Sequence, residues 1–306
     1  MKKIKNLTAV VLTKNEAENL PRCLGSLGFV GQILVVDDGS SDETLAIAQK
    51  FKAKVVKHKL KDFSSQRNFA ISKVATDWTL MIDADEEVST KLAFEIVREL
   101  KKNQFAGFRF RRKNFIFGRW VRHSGWYPDW QAHLFLTKKA HYQGAVHEQV
   151  EIRGKVKDLQ EHLLHYNFKS LSHFLSPAQF DLYAQLEADQ LFKKGYSFKW
   201  PDLVIKPVDE FLRRFFAEKG YLDGPLGLLL ASLQSFKELV IYAYLWEKQS
   251  SKKEIISPES FLSQLKRIAC QKGKELGFWL LGAEKEVTKS SLKKIWLRVL
   301  KKVRFW

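Results

Sequence analysis

Four short β-rich apolar runs, residues 7–12, 32–36, 54–56 and 78–82, alternate with helix-forming segments, and this alternation constrains the fold more than any other feature of the chain. The intervening residues 15–27, 43–51 and 63–73 carry helix formers, with Asn15 a candidate N-cap for the first and Ser41 or Asp42 for the second. Strands separated by helices imply a parallel sheet with helices on both faces, so the expected class is α/β and Rossmann-like. Residues 107–151 change to aromatic and basic β-like stretches with loops, and beyond Ser170 the pattern is largely helical. There, residues 176–194 are amphipathic, 211–246 are richer in apolar side chains, 247–254 look like a polar linker, and 292–306 form a candidate basic amphipathic helix. The expected organisation is an α/β domain over 1–170, a helical region over 171–248, and a linker with a basic tail over 249–306.

With 45% hydrophobic residues in 306, the chain can bury a sizeable core. Cys23 and Cys270 form neither a disulfide framework nor a zinc spacing, which suits a reducing compartment. The formal net charge of +18 calls for an anionic partner: nucleic acid, anionic lipid or a phosphorylated substrate. Residues 1–5 lead straight into a strand pattern without a small-residue cleavage site, so no secretory signal is expected. The most apolar run, residues 224–236, ends at Lys237 and Glu238 and is shorter than a membrane span needs.

Two acidic motifs carry the chemistry. Asp83-Ala84-Asp85 closes the fourth strand, at the carboxyl end where parallel α/β sheets bind ligands. Carboxylates at i and i+2 on an extended segment share a side, and oxygen ligands so placed suit Mg²⁺ or Mn²⁺. The alternative is an acidic helix start, with Asp85, Glu86 and Glu87 complementing the macrodipole. Asp37-Asp38-Gly39-Ser40 follows the second strand. A carboxylate there can accept hydrogen bonds from a base or ribose, or it can simply build a strand-to-helix turn.

Leu12-Thr13-Lys14-Asn15-Glu16, Val36-Asp37-Asp38-Gly39-Ser40, Gln66-Arg67-Asn68 and Asp83-Ala84-Asp85-Glu86 occur in an order and spacing that resembles family-two glycosyltransferases of GT-A type. The resemblance implies a nucleotide-sugar fold, a divalent metal and inversion at the anomeric carbon. It implies that Thr13, Asn15, Glu16 and Asp37 or Asp38 surround the uridine, and that Arg67 approaches base or diphosphate unless it lies on a solvated helix face. Asp83 and Asp85 would hold ribose and metal. Trp126-Tyr127-Pro128-Asp129-Trp130, His133-Leu134-Phe135, Gly144-Ala145-Val146-His147-Glu148, and Leu222-Asp223-Gly224 with Gly227 onward resemble a narrower branch, the lipopolysaccharide inner-core glucosyltransferases. That branch usually has Arg where this chain has His133, so an arginine's phosphate contact does not carry over.

Transfer requires a base for the acceptor hydroxyl. Asp129 is the first candidate and Glu148 the second, while His147 is a candidate third metal ligand. Trp126, Tyr127 and Trp130 suit a sugar-stacking platform or a hydrophobic core equally. His123, His141 and His173 are expected to be structural. The expected function is transfer of a hexose from a UDP-sugar to a hydroxyl of a glycan or lipid-linked acceptor in cell-envelope synthesis. A cytoplasmic location on the inner face of an anionic membrane is expected from the basic tail. The alternatives are a nucleotidyltransferase, disfavoured by the missing Gly-rich phosphate loop, and a nucleic-acid-binding protein. The second is disfavoured because the basic residues are dispersed and no nucleic-acid motif is present, so no nucleic-acid partner is expected.

Overall fold

The computed structural model describes residues 2–102, 104–144, 149–249 and 256–305, and divides into two compact units. The first comprises Met1–Trp120 and Tyr127–Lys169; the second comprises Val121–Trp126 and Ser170–Trp306.

The first unit is built on β1 (Ile4–Thr13), α1 (Leu20–Ser26), β2 (Val30–Asp37), α2 (Thr44–Lys50), β3 (Lys54–Lys57), α3 (Phe63–Ser72) and β4 (Trp78–Asp83). Next come β5 (Glu86–Val88), α4 (Thr90–Leu100), β6 (Gly107–Ile116), β7 (Arg119–Trp120), β8 (Asp129–Leu136), β9 (Ala140–Gln143), β10 (Gln149–Ile152) and β11 (Val156–Phe168). Strands β3, β2, β1 and β4 pair in parallel, which agrees with the expected sheet. The sheet then continues as a mixed one, with β8 antiparallel to both β4 and β6, and β11 parallel to β6. Strands β6, β7 and β8 of the aromatic and basic region thus belong to the same nine-stranded sheet, while β9 and β10 form a separate antiparallel pair.

The period-two alternation of the apolar runs explains the two layers. Ala9, Val11, Val35, Leu80 and Ile82 face one side, packing on Leu20 and Leu24 of α1, Ala48 of α2, and Leu92 and Ile96 of α4. Val10, Leu34, Val36 and Met81 face the other, against Ala70 of α3 and Phe135 and Tyr142.

Three local expectations are corrected. Asn15 caps no helix: it has φ +56° in the loop after β1, and α1 begins only at Leu20. The acids after Asp83 do not start a helix either, since Glu86–Val88 is a strand paired with β11, and α4 starts after Ser89, whose hydroxyl accepts from Leu92 N. The region read as linker and tail holds a 30-residue helix besides the tail helix.

The second unit is helical: α5 (Leu171–Phe174), α6 (Leu182–Lys193), α7 (Asp202–Leu212), α8 (Gly224–Gln249), α9 (Pro258–Val287) and α10 (Ser291–Phe305). Ile241 and Leu245 of α8 pack on Ala184 and Ala188 of α6. The approach of α8 to the turn before it requires glycine, because a Cβ at Gly227 would collide with the Gly220 carbonyl. Residues Gly220–Gln249 contain an 18-residue window of mean hydropathy 1.3, long and apolar enough to cross a membrane by length and composition only.

Candidate active site

The carboxyl ends of the parallel strands gather the predicted residues of the first unit. Thr13 ends β1 beside Asp37 at the end of β2, and Asp83 ends β4 beside Leu12. Asp37 is completely buried, and its oxygens accept from Gly39 N (2.9 Å), Ser40 N (3.0 Å), the Ser40 hydroxyl and Thr13 Oγ1 (3.3 Å). These four donors give Asp37 a visible role in shaping the turn after β2. Asp38 is bound by Lys14 Nζ (2.8 Å) and Leu60 N (2.8 Å). Burial acts to raise its pKa, and these partners outweigh that and hold it below the ordinary value. Asn15 Oδ1 accepts from Ser41 N (2.8 Å) while its own N–H donates to Ser40 Oγ (2.9 Å), stapling the β1 and β2 loops together.

Glu16 lies at the rim of a carboxylate cluster. Burial raises its pKa, an effect reduced by the hydrogen bond from Asn19 and reinforced by the charges of Asp85 and Asp83. Arg67 is buried on α3, not solvated, and its Nη2 donates to Asp83 Oδ1 at 2.9 Å. Burial alone would raise the Asp83 carboxyl, but Arg67, with further positive neighbours, holds it down at about 2.

Around this pair sit residues to which the sequence reading assigned no part in the site. Glu86, completely buried, accepts from Asp83 N through Oε2 (2.9 Å), and its Oε1 meets Arg112 Nη1 at 3.3 Å. Burial, and then the Asp83 charge, push Glu86 up to about 7 despite Arg112. His133 Nε2 lies 3.6 Å from Glu86 Oε1. Burial, with Arg112 adding to it, lowers His133 to about 3, so the ring is neutral and offers no charge in place of the branch's arginine.

Arg112 also reaches Asp129, Nε to Oδ2 at 2.7 Å. Asp129, at the start of β8, further accepts from Gln131 Nε2 (2.6 Å) and Asn114 Nδ2 (3.3 Å). Burial would raise its pKa, yet Arg112 and these donors hold it below the usual carboxylate range, so it is ionised at neutral pH. Asn114 Oδ1 pairs with His165 Nδ1 (2.6 Å), and His165 Nε2 faces Asp85 Oδ2 at 3.2 Å. Burial lowers the imidazole pKa, but Asp85 more than compensates and the net shift is upward. His165 is 80 residues from Asp85, too distant for any local motif to reveal.

His147 and Glu148 lie outside the described residues. Among the described residues no three His, Cys, Asp or Glu groups converge as a metal cage. Asp85 Oδ2 and His165 Nε2 nevertheless form an oxygen–nitrogen pair that fits two positions of a divalent ion. Mg²⁺ and Mn²⁺ sites often leave the rest to substrate phosphates and water.

The aromatics divide between the units. Trp126 belongs to the second, its ring 5.7 Å from the Arg214 guanidinium. Tyr127 hydrogen-bonds His162 Nε2 at 3.1 Å, and Trp130 lies near the guanidinium groups of Arg109 and Arg111. His123 is held by Asp223 through Nδ1 (3.1 Å), and Asp223 also accepts from the N–H of Arg122 and His123. The Leu222-Asp223-Gly224 motif therefore has a clasp as its visible role.

The Glycosyl transferase family 2 profile matches residues 8–156. Those residues form a family 2 glycosyltransferase domain. The protein is a glycosyltransferase, the designation that its relatives carry. It is 28% identical over 268 residues to an uncharacterized glycosyltransferase of Rickettsia felis, covering 83% of this chain and 94% of the relative. It is 27% identical over 248 residues to the lipopolysaccharide core biosynthesis glycosyltransferase LpsC of Rhizobium meliloti, covering 76% and 91%. Among solved structures, S. aureus TarS 1–349 in complex with UDP-GlcNAc matches at 14% identity and TM-score 0.42, over 84% of this chain and 94% of that one.

Proposed function

We propose that this glycosyltransferase moves a hexose from a UDP-sugar to a hydroxyl of a glycan or lipid-linked acceptor in cell-envelope synthesis, with inversion. The observation that carries the reading is the polar cluster at the carboxyl edge of the sheet, where Arg67–Asp83, His165–Asp85 and Arg112–Asp129 bring three functional carboxylates together. Thr13, Glu16 and Asp38 border the uridine in this reading, and Asp83 meets the ribose. Asp85 and His165 hold Mg²⁺ or Mn²⁺, which when bound offsets charge on the leaving diphosphate.

Asp129 takes the acceptor proton. It is ionised and fixed in place by Arg112, Asn114 and Gln131, so little reorganisation is needed when the hydroxyl arrives. Its low basicity limits the driving force, and proton transfer therefore falls late, when the hydroxyl has become acidic through bond formation. Glu148 is the second candidate base. Support for the acceptor class comes from the similarity to LpsC.

The test is turnover across a panel of nucleotide sugars with Mn²⁺ or Mg²⁺, followed by NMR of the first-formed anomer. The reading expects a UDP-hexose to be used, with the opposite anomeric configuration in the product. Use of a different nucleotide alone, or retained configuration, overturns it.

A further inference from the structure

We propose that α10 is a docking helix that lays its outer face on an anionic lipid bilayer. The helix follows α9 after residues 288–290 and packs against it, with Leu297 completely buried. Lys293 pairs with Glu284 (2.6 Å), and Lys301 Nζ sits 3.5 Å from the centre of the Phe278 ring, so the hairpin is fastened along its length. A tail helix that existed only to complete the fold would turn its apolar residues toward α9. This one does the reverse: Leu292, Ile295, Trp296 and Val299 are 80%, 60%, 58% and 54% exposed. Their i, i+3, i+4, i+7 spacing makes them one stripe, on the side opposite Leu297. Exposed Arg298 lies beside it, and exposed Lys294 further round the same side.

Charge selects the occupant. Ser291–Phe305 holds six Lys or Arg residues and no Asp or Glu. A second copy of α10 packed on the stripe would bring like charges together. Nucleic acid would satisfy the charges and leave the aliphatic stripe in water. An anionic bilayer accommodates both, with apolar side chains and Trp296 among the acyl boundary and the cations at the headgroups. Helix α8 buries Leu230, Ile241 and Leu245 inside its own unit and exposes Leu228, Leu229, Phe236 and Trp246, so spanning by α8 is the rival that the test must separate from docking.

This inference does not rest on the sugar chemistry, since vesicle binding is read without donor or acceptor. The full-length protein is sedimented with phosphatidylcholine vesicles, alone or mixed with phosphatidylglycerol. Binding should need the anionic lipid and weaken as salt screens it. Lys294→Gln with Arg298→Gln should lower partitioning ~25-fold, at roughly fivefold per charge. Ile295→Ser with Trp296→Ser should lower it by more than ~10-fold. Both pairs are exposed, so unchanged circular dichroism and melting accompany the loss. Three results overturn the proposal: no binding to anionic vesicles, equal binding to neutral ones, or a dimer in solution that Ile295→Ser with Trp296→Ser converts to a monomer. Resistance of the membrane-bound protein to alkaline carbonate extraction would replace docking with spanning and overturn it as well.

Discussion

Replacing Glu86 by Gln should stabilise the protein at alkaline pH relative to acid pH. Glu86 is completely buried between Asp83 and Arg112, and its pKa is pushed up from 4.5 to about 7. An acid whose folded pKa exceeds its unfolded one binds more protons when folded. It costs nothing below pH 4.5, where both states are protonated, and the cost grows until the pH passes the folded value. At about 1.4 kcal/mol per pH unit, ionisation of Glu86 costs roughly 3 kcal/mol at pH 8 and only about 1 kcal/mol at pH 5. Gln mimics the protonated form. Its carbonyl can keep the bond from Asp83 N, and its amide can face His133 Nε2, which lacks a hydrogen-bond partner among the described residues. The attraction of Arg112 for the ionised carboxylate is already contained in that pKa, and any packing difference between Gln and protonated Glu does not vary with pH, so the informative quantity is the slope. Urea unfolding of both proteins between pH 5 and pH 8 should show the variant gaining roughly 2 kcal/mol on wild type as pH rises. Other titrating groups are common to both and largely cancel. A stability difference that stays flat, or moves against the variant with rising pH, would refute the burial argument.

Asp129→Asn should lower turnover ~10²-fold or more with donor affinity intact, checked by steady-state transfer and UDP titration; an active Asp129→Asn with a dead Glu148→Gln would reverse the two candidates. Asp37→Ala should destabilise by about 2–4 kcal/mol in urea unfolding, since it strands the turn donors that Asp37 satisfies, and where the variant is folded UDP affinity should drop by less than ~10-fold. His165→Ala should raise the Mn²⁺ concentration required for half-maximal activity ~10-fold or more, whereas a merely structural role would lower stability and leave that requirement unchanged.

The parallel half of the sheet was legible because its strands are buried on both faces and therefore read as continuous apolar runs, as in Val10-Val11 and Val35-Val36. The antiparallel half was less so. Strand β6 carries Arg109, Arg111, Arg112 and Lys113, and only tertiary pairing with β8 and β11 reveals that it lies deep in the sheet. Helix α9 escaped because Ile268 is its one fully buried residue among those described, leaving a weak stripe. Within the site, motif spacing singled out Asp83 and Asp85 at the end of β4 and Arg67 on α3, which the structure brings to Asp83. It could not find Arg112 or His165, which reach the cluster from β6 and β11 through pairing that no local pattern encodes. For Asp37 the sequence left two roles open, since a carboxylate at a strand end can serve a ligand or its own turn, and the four donors around it display the turn.

The claim that Asp85 and its neighbours bind a nucleotide diphosphate through a divalent ion is tested most directly by calorimetric titration of UDP into wild type and Asp85→Ala, each with and without Mn²⁺. The account predicts binding to wild type that strengthens at least ~10-fold with Mn²⁺, and no such strengthening in Asp85→Ala while its melting temperature is maintained. Equal UDP affinity in all four titrations would contradict it.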